Sequence, residues 1–216
     1  HSSHTAIGLS SEFNLFYHLN LMHDFFMFGN GMYGNDGAGN PILGVNITSA
    51  AYIGAPMHAM AFVGPNITNA FYDPTFDNLL FGGISDAAPS DIMTLDATVS
   101  HHEYTHFMTE KIWSMQNFGE GGAISEANAD YFSASSLNDP GIGTFVVQAL
   151  GGGQVPLRQL DSTLGSDTCG VSPAILGSAA TPWIGEIHCD SRFLSQALWD
   201  LRKARILHQA SAGAGQ

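Results

Sequence analysis

The most constraining stretch of this 216-residue chain is His102-Glu103-Tyr104-Thr105-His106. On a helix, residues four apart differ by about 40° in azimuth and about 6 Å in height. Both imidazoles therefore leave the same face, close enough to grip one ion. Glu103 lies about 100° round from His102, within reach of a water on that ion without being a ligand itself. Two imidazoles at this spacing, with a glutamate between them, match the helix of a zinc hydrolase. His101 leaves another face and takes no metal role.

Catalytic zinc needs a third protein ligand and keeps its fourth position for water. The next helical stretch runs Gly122-Ala123-Ile124-Ser125-Glu126-Ala127-Asn128-Ala129-Asp130. Glu126 and Asp130 are again four apart, on one face. Glu126 follows His102 by 24 residues, and Asp130 follows His106 by 24. Two antiparallel helices with a short connection would bring these pairs together. Glu126 is then the third ligand. Asp130 is placed to accept the N–H of a ligating histidine, which orients the ring.

The rest of the chain supplies a frame for these helices. Glu12 to Gly29 reads as a helix, with Phe13, Phe16, Tyr17, Leu21, Phe25 and Phe28 recurring at three- and four-residue steps. Residues 29–44 are rich in Gly and Asn and read as loop. Residues 42–63 carry short strand-prone pieces, and residues 69–82 read as strand and turn around Asp73-Pro74. Helices are expected at about 95–116 and 120–137. Another is expected from Phe193 to His208, with Phe193, Leu194, Ala197, Leu198, Leu201 and Ile206 as its apolar positions. Residues 211–216 read as a flexible tail. Strands come first and helices later, which argues for an α+β fold. The expected division is an N-terminal lobe of residues 1–116, ending in the zinc-motif helix, and a mainly helical lobe of residues 117–216.

Charge excludes one class of partner. Six Lys and Arg face nineteen Asp and Glu, for a net charge of −13. A surface this acidic repels phosphate backbones, so nucleic acid is not an expected partner. No run of eighteen apolar residues is present, so no membrane span is expected. A start at His1 without Met reads as a processed or excised product. Cys169 and Cys189 leave a disulfide and two free thiols equally open.

His102 to His106, followed by Glu126 and Asp130, resembles the thermolysin-like zinc endopeptidases, the gluzincin group. Asn14-Leu15-Phe16-Tyr17 with His23-Asp24 looks like the N-terminal helix of the fungalysin-like branch and its bacterial relatives. Phe71-Tyr72-Asp73-Pro74 ahead of Leu95-Asp96-Ala97-Thr98-Val99 points the same way. So does Gly185-Glu186-Ile187-His188 followed by Ala197-Leu198-Trp199-Asp200-Leu201. The resemblance spans about residues 12–205.

It implies a two-lobed zincin, with a strand-rich lobe, a mainly helical lobe and the zinc site in the cleft. It implies hydrolysis of internal peptide bonds in protein or peptide substrates, with Glu103 as general base. His188 matches the histidine that stabilises the oxyanion, and Arg158 matches the arginine that binds the substrate carbonyl beyond the scissile bond. Trp183 falls where thermolysin carries the Asp that orients this histidine, which leaves Glu186 and Asp190 as candidates. Ala50, Ala51 and Tyr52 match the edge strand along which the substrate backbone lies. Zn²⁺ is the implied cofactor. Leu137 stands where one calcium-binding carboxylate would be, so Ca²⁺ is not expected at the thermolysin-type site. A propeptide before maturation and a secreted location go with the family. The rival reading is a catalytically degenerate, zinc-stabilised binding module, favoured by Ala50 and Trp183.

Overall fold

A computed structural model describes residues 2–28, 57–64, 67–83, 92–161, 163 and 185–213. Ala50, Ala51, Tyr52, Cys169 and Trp183 lie outside the described residues. The fold mixes helices with small sheets, in keeping with an α+β class. It divides into two compact units, His1–Ser114 and Met115–Gln216.

The first unit opens with helix α1, Ser2–Phe28. It begins ten residues before the expected Glu12, and its buried stripe is not the aromatic one. Leu15, Leu19 and Met22 are buried, together with Ser11, whereas Phe13, Phe16 and Tyr17 are exposed. The helix is apolar over most of its circumference, so periodicity finds the helix but does not choose its inner face.

Three strands follow: β1 His58–Ala61, β2 Ala70–Asp73 and β3 Asn78–Phe81. The sheet order is β1-β3-β2, with β1 parallel and β2 antiparallel to β3. The β2–β3 turn is built from its own polar side chains. Asp73 accepts from the Thr75 amide at 2.8 Å, and the Tyr72 hydroxyl donates to Asp77 at 2.6 Å. Asp77, in the left-handed region at φ 54°, also pairs with Lys111. Gly82 is required by close approach, since a Cβ there would lie 1.8 Å from the Ile67 carbonyl oxygen.

The helix expected over about 95–116 is α3, Ala97–Ile112, and a separate short helix, α2 Ile92–Leu95, precedes it. Asp96 divides them. Its carboxylate accepts from the Thr98 amide at 3.0 Å and from the Thr98 hydroxyl at 2.6 Å, an N-cap that starts α3 afresh. Asn14 of α1 donates to the Thr94 carbonyl at 2.6 Å and ties α1 to α2.

The second unit opens with α4, Gly119–Leu137. It buries small residues, including Ala123, Ala127, Ala129 and Ala134. It stops at Asn138, which takes the left-handed conformation at φ 55°. Then come β4 Gly141–Ile142, α5 Thr144–Ala149 and β5 Arg158–Gln159, with β4 and β5 paired antiparallel. Helix α6, Ile187–Asp190, and helix α7, Arg192–Gly213, complete the unit.

Helix α7 runs past His208 to Gly213, so residues 211–213 are helical where a tail was expected. Its inner face is Ser195, Gln196 and Trp199, while Phe193 and Leu201 are exposed. Trp199 packs with Ala134, Ile142 and Leu160. Gln196 donates to the Gln159 carbonyl at 2.8 Å and joins α7 to β5. Among the described residues, no helix is long and apolar enough to cross a membrane.

Candidate metal centre

Helix α3 presents the histidine pair as the i, i+4 spacing requires. The two Nε2 atoms of His102 and His106 lie 3.0 Å apart, with ring planes at 84°. His102 and Glu103 are buried, and His106 is half-buried. His101 belongs to the core. It is 1% exposed and its Nε2 meets His18 Nδ1 of α1 at 3.1 Å. Burial, reinforced by the neighbouring His18, pushes its pKa down to about 3, so it stays neutral near pH 7.

Glu126 of α4 is also buried. His102, His106 and Glu126 each offer one ligand atom, and these atoms lie within 4.8 Å of one another. The three could therefore hold one metal ion. Two imidazoles and a carboxylate suit a divalent transition ion. No protein-family model, curated protein or solved structure matches this chain.

Asp130, one turn further along α4, is fully buried and bound by Arg158 of β5. Arg158 Nε donates to Oδ2 and Nη2 donates to Oδ1, both at 2.6 Å. This is the two-pronged pairing for which a guanidinium is shaped. The pairing was not anticipated from the sequence, where Asp130 and Arg158 were given separate roles. The available signal was scarcity: Arg158 is the second cation in the chain after Lys111. A cation flanked by Leu157 and Leu160 needs a buried partner.

His188 is carried by α6, a four-residue helix with no buried residue. Gly122 lets α6 sit against α4, because a Cβ at that glycine would lie 2.9 Å from Ile187 Cγ2. His188 Nε2 is 3.5 Å from Glu126 Oε2, and Nδ1 is 2.6 Å from Glu186 Oε1. Burial pushes the Glu186 carboxyl up. Hydrogen bonds from His188 and the Cys189 amide outweigh this and hold it below the usual range. Asp190, the other candidate partner of His188, accepts from the Gly185 amide at 2.8 Å. Cys189 is disulfide-bonded.

Proposed function

We propose that this chain is a zinc-dependent endopeptidase of thermolysin-like, two-lobed architecture, acting on protein or peptide substrates. The observation that carries this reading is the convergence of His102, His106 and Glu126, with Glu103 beside the first ligand. Two nitrogens bound to one zinc at tetrahedral angles sit about 3.3 Å apart, given Zn–N bonds of about 2.0–2.1 Å. The 3.0 Å between the two imidazole nitrogens fits that requirement. An oxidising, extracellular setting accords with the disulfide at Cys189. A propeptide before maturation belongs to the same proposal.

Bound zinc would lower the pKa of a water and polarise the scissile carbonyl. His102, His106 and Glu126 would hold it. Glu103 takes the proton of the attacking water and passes it to the leaving amine. His188 donates to the developing oxyanion, where a fixed donor is worth more than in the ground state. Arg158, its plane set by Asp130, binds the substrate carbonyl beyond the cleaved bond.

Replacement of Glu103 tests the reading. Glu103→Gln should keep zinc, measured by metal analysis, while casein cleavage falls about 10²- to 10⁴-fold. A zinc chelator should abolish cleavage by the unaltered chain. Full activity in the variant would remove Glu103 as the base. Zinc binding with no cleavage by the unaltered chain would leave the degenerate binding module.

A further inference from the structure

We propose that Glu186 is the positioning residue that fixes the ring of His188 for the reaction proposed above, and this inference rests on that reading. The need is visible in the fold. Helix α6 has only four residues and buries none of them, so packing gives the His188 ring little restraint. The side chain of His188 is 47% exposed, and a free imidazole there would sample several rotamers.

Hydrogen bonding supplies what packing does not. Glu186 Oε2 accepts from the Cys189 amide at 2.8 Å, and Oε1 accepts from the His188 amide at 3.3 Å. The carboxylate is thus pinned to the backbone of the helix it caps. The same Oε1 lies 2.6 Å from His188 Nδ1. An ionised carboxylate only accepts, so Nδ1 carries the proton of that bond. With Nδ1 held, the direction of Nε2 is set, and it faces Glu126 at 3.5 Å. One side chain therefore starts the helix and aims the ring. Asp190 Oδ2 accepts from the Gly185 amide at 2.8 Å.

A residue that merely caps α6 would affect folding and nothing else, so the test separates the two jobs. Full-length chain, loaded with zinc, is compared with Glu186→Gln, Glu186→Ala and Asp190→Asn. The glutamine variant keeps an oxygen for the backbone amides and guards against loss of α6. Glu186→Gln and Glu186→Ala should lower kcat about ten- to hundredfold, with KM and zinc content unchanged. Asp190→Asn should leave kcat within about twofold. In a His188→Ala background, Glu186→Gln should cause no further loss, because its effect passes through that ring. Independently of activity, ¹⁵N-imidazole NMR should show an Nδ1–H correlation that disappears in both His188→Ala and Glu186→Ala. Full kcat in Glu186→Ala, an equal loss in the His188→Ala background, or an unchanged Nδ1–H signal would each overturn the proposal. Absence of peptidase activity in the unaltered chain would sink the endopeptidase reading instead, and the NMR signal would still decide whether Glu186 holds the ring.

Discussion

In the unit of residues 1–114, helix α1 packs against the histidine-bearing helix α3, and its Leu15, Leu19 and Met22 are buried. His18 of α1 also meets His101 of α3. In the unit of residues 115–216, by contrast, the chemistry-bearing side chains hang on charge and hydrogen bonds. Arg158 grips Asp130, Glu186 holds His188, and Lys203 reaches Asp161 at 3.0 Å. Ala134, Ile142, Leu160 and Trp199 form an apolar cluster there. Among the described contacts, apolar burial stands out behind α3, and paired polar groups stand out beside the candidate site residues of the second unit. The first should be vulnerable to lost volume. The second should be vulnerable to lost charge.

The largest effect on stability is expected at Asp130. Asp130→Ala leaves the Arg158 guanidinium buried without its carboxylate and should destabilise the second unit by about 3–5 kcal/mol. Denaturant unfolding measures this. A cost below about 1 kcal/mol would mean that charge pairing does not hold this unit together. The matching substitution in the first unit is Met22→Ala, at a fully buried position. It should cost about 2–5 kcal/mol through lost burial and the cavity left behind. A negligible cost would erase the contrast from the other side.

The smallest effect is a pH dependence at Asp161 of the second unit. Burial pushes the Asp161 carboxyl up. Hydrogen bonds from the Thr163 hydroxyl and amide and from Lys203 more than offset this and hold it at about 2. Its folded pKa is thus below the ordinary aspartate value of about 4. The stabilisation is present above that value and is lost as pH falls from about 4 towards 2. Asp161→Asn should flatten the acid limb of the unfolding midpoint across this window, followed by circular dichroism. An unchanged slope would remove Asp161 from the comparison.

The readable parts of the site were those with a strict local period. His102 and His106, and then Glu126 and Asp130, are each four residues apart, and a helix puts such pairs on one face whatever surrounds it. The Asp73-Pro74 turn was legible for a similar reason, since an Asp side chain caps the turn locally. The inner faces of α1 and α7 were not legible. Phe13, Phe16, Leu201 and Ile206 are apolar enough to be core, yet they are exposed, while Ser11, Ser195 and Gln196 are buried. Which side of a helix is covered depends on what packs there. The short helix before Asp96 was not anticipated, and the Asp96 cap starts α3 afresh after it.

The amino-acid sequence by itself determined the helical spacing of the two imidazoles and of the two carboxylates, because the α-helical repeat depends only on backbone geometry. Tertiary structure alone decided that Asp130 faces Arg158 and that His101 is sealed in the core against His18. Asp130 and Arg158, and likewise His18 and His101, are far apart in the chain; packing and chain reversal bring them together, and no local period encodes that.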